Sequence, residues 1–244
     1  LKKRITFKIL QDNFDISTIN LYYLQPTHWH YISVHQTLSE PFIREFKNNV
    51  DWDYICIWQK LSEPFIEEFQ NKVNWYNISK HQKLSEHFIR DFQNKVYWNY
   101  ISELSEPFSE DFIREFQNKV NWYYISINQK LSEDFIREFQ NKVDWDNISY
   151  KQLSEDFIRE FKDKINWNYI SEHQKLSEPF INEFQNKVDW DRISRSQKLS
   201  EDFIREFKDK INWNYISEHQ KLSEELIREM TSLTEKTNNF KKGE

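Results

Sequence analysis

The sequence predicts an all-α fold, an α-solenoid of about nine two-helix repeats of about 23 residues each, closed by terminal caps. Three observations predict it. Tryptophan recurs as a ruler at Trp29, Trp52, Trp75, Trp98, Trp122, Trp145, Trp167, Trp190 and Trp213. Phenylalanine keeps step at Phe42, Phe65, Phe88, Phe112, Phe135, Phe157, Phe180 and Phe203, and Leu226 continues the series. Residues 153–175 and 199–221 are identical, so part of the array duplicated recently.

The unit reads LSEDFIREFQNKVDWDYISxHQK, and positions below are counted from its leucine. The first helix opens at position 2, which is serine in every unit from Ser39 to Ser223. A serine hydroxyl accepts from the orphan amides of a first helical turn, so it is a strong N-cap. Glutamate at 3, often followed by aspartate at 4, then lies at the positive helix end. Pro41, Pro64 and Pro179 fall in the same turn, where no intrahelical amide is lost. Leucine at 1 and isoleucine at 6 have hydrophobic-staple spacing. Apolar residues at 5, 6, 9 and 13 form one helical stripe, and Asn or Asp at 11 is the expected left-handed stop. This first helix is expected over positions 3–10.

The second helix repeats the logic. Asp51, Asn74 and Asp144 exemplify the cap at 14, and Val or Ile at 13 staples to Ile at 18. Trp at 15, Ile at 18, Ser at 19 and Gln at 22 cluster within about 100° of a 3.6-residue helix. They define the expected buried face of a helix over positions 15–22, with the glutamines expected to satisfy backbone groups between units. Helices this short are marginal alone, so stacking must supply the core.

One irregularity misleads. Leu104-Ser105-Glu106 imitates a repeat start, but aligning on Phe112 and Trp122 places the start at Phe108-Ser109-Glu110, after a loop longer by one residue. Residues 1–26 fit the unit poorly and are expected to form an N-terminal cap. Residues 27–221 carry the tandem repeats. Residues 222–244 begin as a unit, replace both phenylalanines by Leu226 and Met230, and end polar, as a capping helix and tail would. The chain starts at Leu1 rather than Met, which leaves open whether residue 1 is the native start.

Composition narrows the function classes. Hydrophobic residues make up 38% and charged residues 30%, but 17% aromatic content argues against disorder. The net charge of −6, with both signs interleaved, disfavours nucleic acid as a partner. No apolar run approaches the ~20 residues that span a bilayer, so no membrane partner is expected. The single cysteine, Cys56, excludes an internal disulfide and fits a reducing compartment, so a cytoplasmic location is expected. Alanine is absent and Gly243 is the only glycine, which excludes glycine-rich phosphate loops and, through codon usage, points to an AT-rich genome.

No catalytic, metal or cofactor site is expected. Cys56 stands at position 19, where other units carry Ser33, Ser79, Ser102, Ser126, Ser149, Ser171, Ser194 and Ser217. A small residue at a close helix approach explains both. His35, His81, His173 and His219 at position 21 are a repeat or more apart, too far to share one metal. The acids at 3, 4 and 8 read as a solvated helix face. The tryptophan ladder could stack bases, but it shares a narrow face with Ile and Ser and reads as core. Variation is concentrated at 20 and 21, away from that face. Val34, Ile57, Trp58, Ile127 and Tyr150 there are the candidate protein-binding residues, with Trp58 the only tryptophan off the ladder.

The second half of the unit, Lys164-Ile165-Asn166-Trp167 followed by Ile170-Ser171, resembles the short tryptophan-containing repeats of uncharacterised giant DNA virus proteins over about residues 27–225. It departs from them in the LSE(D/P)F helix that replaces an Asn-Pro turn. The resemblance implies host cytoplasm or virion as the location and implies no site. The expected function is a non-enzymatic repeat scaffold for protein–protein interaction, with a protein partner and self-association both open. The alternatives are a self-assembling virion component and, further off, an RNA-binding repeat reading one base per unit.

Overall fold

The computed structural model describes residues 25–104 and 106–229. The expected cap over residues 1–26 lies outside them apart from Gln25 and Pro26, as does the polar tail from 230 onward. Every regular element among the described residues is an α-helix. Two compact halves divide at a repeat boundary, Leu1–Lys130 and Leu131–Glu244. The first half holds helices of the first kind at Glu40–Glu45, Glu63–Glu68, Glu86–Asp91 and Glu110–Glu115. They alternate with helices of the second kind at Pro26–His35, Trp52–Trp58, Trp75–His81, Trp98–Glu103 and Trp122–Asn128. The second half alternates Glu133–Glu138, Glu155–Glu160, Glu178–Glu183 and Glu201–Glu206 with Trp145–Ser149, Trp167–His173, Trp190–Ser196 and Trp213–His219. A further helical stretch, 224–229, follows.

Most of the expected caps are present, but Ser39 and Ser62 make no side-chain cap bond. Ser85, Ser109, Ser132, Ser154, Ser177 and Ser200 accept from the amide three residues on. Asp51, Asn74, Asn121, Asp144, Asn166, Asp189 and Asn212 cap the second helices. Phe108 takes the buried leucine slot ahead of Glu110–Glu115, so Leu104-Ser105-Glu106 is indeed not a repeat start.

The first helix is shorter than expected. It ends two residues before the Asn or Asp at position 11, at the second phenylalanine, as at Phe46 with φ −108° and ψ 27°. The Phe46 carbonyl then accepts from both Asn49 at 2.8 Å and Val50 at 3.1 Å. That tight turn buries the valine and points the chain into the next helix.

The core is phenylalanine and isoleucine. Phe65, Phe112, Phe135, Phe157 and Phe180 are fully buried, as are Ile55, Ile78, Ile101, Ile148, Ile170 and Ile193. The tryptophans form a half-buried seam between repeats and, apart from Trp29, are not part of the fully buried core. Trp98 lies 6.2 Å from Phe112 and 4.6 Å from Phe116 of the following repeat. Its indole Nε1 donates to the Gln93 carbonyl at 3.0 Å. A packed indole nitrogen usually finds an acceptor, as the half-buried seam provides, whereas the buried Trp29 Nε1 has no hydrogen-bond partner among the described residues.

Candidate interaction surface

Most of the repeat's polar side chains lock one repeat to the next within each half. The position-19 serine donates to the carbonyl four residues back and accepts the following cap's amide. Ser79 Oγ donates to the Trp75 carbonyl at 2.7 Å and receives the Tyr97 amide at 2.9 Å. The expectation of a merely small residue there was half the answer, because the hydroxyl satisfies two backbone groups. The position-22 glutamine does more. Gln82 Nε2 donates to the carbonyls of Cys56 (2.7 Å) and Gln59 (2.9 Å), and its Oε1 accepts the Leu61 amide (3.1 Å). Gln59, Gln174 and Gln197 repeat the triple clip. The carbonyls left over at the end of one helix are thus taken up by the next repeat.

The acids read as a solvated face also interlock. Glu63 accepts from the Ser85 amide and hydroxyl, and Glu133, Glu178 and Glu201 do the same for Ser154, Ser200 and Ser223. Ser223 amide and hydroxyl hold the Glu201 carboxyl below its usual range. Arginine at 7 reaches the acid at 8 of the next repeat, as in Arg137–Glu160 at 2.7 Å, while its guanidinium lies 5.1 Å over the Phe157 ring. These pairs are more than a third exposed, so each contributes only about 0.2–1 kcal/mol. Spacing along one helix could not show these contacts, because both partners sit one repeat apart.

Cys56 is a buried member of the serine series. Burial pushes its thiol up from 9.0 to about 12, with the Asn74 amide hydrogen bond acting the other way. A neutral, inaccessible thiol is not a nucleophile. The folded state binds this proton more tightly than the unfolded chain, so its contribution to stability is complete below about pH 9.0 and is lost as pH rises toward about 12. We expect a steeper alkaline loss of stability for the native chain than for Cys56→Ser, measured by urea unfolding across that range. Identical profiles would overturn the assignment.

What the interlocks leave is the outer face of the second helices. The large exposed apolar residues among those described are Trp58, Tyr76, Tyr97, Tyr123, Ile127, Tyr150 and Ile227, and all but Ile227 lie on that face or at its N-cap. Of the candidates, Trp58 is 63% exposed, and Ile127 and Tyr150 are about half exposed, whereas Val34 and Ile57 are half-buried. Val34 and Ile57 occupy equivalent places in successive repeats. Lys80 and Glu103 fill those places in the next two, so no apolar stripe continues to Ile127. Tyr150 lies in the other half, with its ring 3.9 Å from Tyr169. His35, His81, His173 and His219 are exposed, and no group of His, Cys, Asp or Glu among the described residues is placed to hold a metal.

Between Trp58 and Ile127 the sequence reading missed a pocket. Tyr76, Tyr97, Trp98, Asn99, Tyr100, Glu103, Asn121 and Tyr124 line a cavity of about 560 Å³. Tyr76 meets Tyr97 and Tyr100 at 79° to each, with centroids 5.5 and 4.8 Å apart, and the Tyr100 hydroxyl lies 2.6 Å from that of Tyr76. The signal was present at Tyr97, where a tyrosine replaces the capping Asn or Asp and no side-chain cap bond forms.

No protein-family model matches this chain, and neither a curated protein nor a solved structure matches it. No helix among the described residues is long and apolar enough to cross a membrane.

Proposed function

We propose that the chain is a non-enzymatic repeat scaffold that binds a protein partner through the outer face of its second helices in the first half. The observation that carries this is Trp58. It is the most exposed large apolar side chain among the described residues, on a face where the repeat pattern varies. Tryptophan combines a large apolar surface with a hydrogen-bond donor, which makes it the commonest anchor at protein interfaces. The remainder of the repeat is committed to holding itself together, which supports scaffolding over chemistry.

Affinity capture from the native host with the full chain, in parallel with Trp58→Ala and Lys60→Ala, tests the reading. Loss of an anchor of this kind costs about 2 kcal/mol or more, so the partner's retention should fall at least about tenfold for Trp58→Ala. The exposed Lys60 variant should capture as the native chain does. A Trp58→Ala chain that keeps every partner sinks the proposal.

A further inference from the structure

We propose that the tyrosine-lined pocket of the first half is a binding site for an alkylated ammonium group, the anchor by which a methylated lysine of the partner is held. The proposal rests on the scaffold reading for the partner but not for the pocket's own chemistry. Four features carry it. First, Tyr76, Tyr97, Tyr100 and Tyr124 bring four π-systems to one cavity together with the Glu103 carboxylate. Aromatic rings present negative faces that attract cations, the physics of ammonium cages, and here they do so in an open pocket, with Tyr76 and Tyr97 40% and 51% exposed.

Second, the rings make corners. Tyr97 and Tyr100 each stand at 79° to Tyr76. Rings turned against one another offer no flat platform for a nucleobase, but they suit a compact, rounded cation. Third, one of these rings already accepts an ammonium. Lys80 Nζ lies 5.3 Å over the Tyr100 ring, in the adjoining groove lined by Lys80, His81, Tyr100, Glu103 and Leu104. The pocket itself is lined by no cationic side chain. The Tyr100 hydroxyl, bonded to Tyr76, is pushed up to about 12 and stays protonated at neutral pH.

Fourth, the repeat gives up local stability to build the pocket. Every other second helix that follows a first helix begins on a capping Asn or Asp, and only Tyr97 lacks the cap bond. Elsewhere that residue also reaches the preceding repeat, as Asn74 does to Asp53 at 2.6 Å and Asn121 to Asn99 at 3.3 Å. At Tyr97 an aromatic pair with Tyr76 takes the place of that hydrogen bond. Loss of a good cap is a known stability cost, and a residue that accepts it at the wall of a cavity is a candidate for function.

The test uses the full chain, with trimethyl-lysine and choline as probes and 3,3-dimethyl-1-butanol as the uncharged isostere of choline, followed by NMR chemical shifts of the tyrosine rings. We expect both cations to shift the pocket rings saturably and the isostere to bind about two- to fivefold more weakly. Tyr97→Asn restores the residue type of the other repeats, so it should fold at least as stably while losing the cation response. Equal binding of choline and its isostere, no saturable shift with either cation, or full binding by Tyr97→Asn would each overturn the site. Trp58→Ala should leave probe binding unchanged, which keeps failure of the pocket distinct from failure of the scaffold reading. A probe response abolished by Trp58→Ala also counts against the site.

Discussion

Replacing Gln82 by alanine should lower the free energy of urea unfolding by about 3 kcal/mol, more than any exposed ion pair of the chain contributes. The reason is the number of backbone groups that one side chain serves. Its amide nitrogen donates to the Cys56 and Gln59 carbonyls, and its oxygen accepts from the Leu61 amide. Gln82 is 6% exposed, so water does not replace it freely. Each buried group left without a partner costs about 1–3 kcal/mol, whereas the same bonds formed in water would be nearly neutral. Lys83 is the control. Its ammonium meets Glu106 at 2.7 Å with both side chains well exposed, and Lys83→Ala should cost no more than about 1 kcal/mol. A Gln82→Ala loss as small as that of the control would mean that the clip carries no net stability.

The contrast shows which parts of this protein were legible in its sequence. Serine at position 2, Asx at 14 and the phenylalanine and isoleucine stripes act within one repeat, through spacings of three and four residues. They could be read directly, and both helices of the unit start where those signals put them, although the first ends two residues early. The glutamine clip was anticipated as a role but not as a geometry. The Glu63–Ser85 and Arg137–Glu160 locks were read as solvated charge, because each joins residues about one repeat apart that only stacking brings together. The ladder tryptophans were placed on the buried face, yet all but Trp29 lie half-buried at its rim. For the candidate surface, a search for apolar residues at two positions found Trp58, Ile127 and Tyr150. It passed over Tyr97, whose meaning lies in a missing cap and not in hydrophobicity.

The identical repeats at 153–175 and 199–221 allow a test that sequence alone would predict to be null. Phe157→Ala and Phe203→Ala each remove a buried ring and should each cost about 3–5 kcal/mol. The rings have like neighbours within and before the repeat. Trp145 stands 6.3 Å from Phe157 and Trp190 stands 6.4 Å from Phe203. Phe161 and Phe207 follow at 4.7 and 4.5 Å. They differ in what the preceding repeat lays over them. Arg137 covers Phe157 at 5.1 Å and pairs with Glu160, whereas the equivalent residue before Phe203 is Asn182. Phe157 is accordingly 0% exposed and Phe203 6%. A guanidinium over a ring at a partly exposed site contributes about 0.5–1 kcal/mol, so Phe157→Ala should be the costlier of the two by about that amount. Asn182→Arg should then close the gap, because an arginine there has both the Phe203 ring and the Glu206 carboxylate within the reach that Arg137 has of Phe157 and Glu160. Equal losses in the two single variants, or no gain from Asn182→Arg, would show that the arginine ladder is spatial coincidence. Unequal losses would show that the stability of a repeat is set at its interface with the preceding one, even where its own residues are the same.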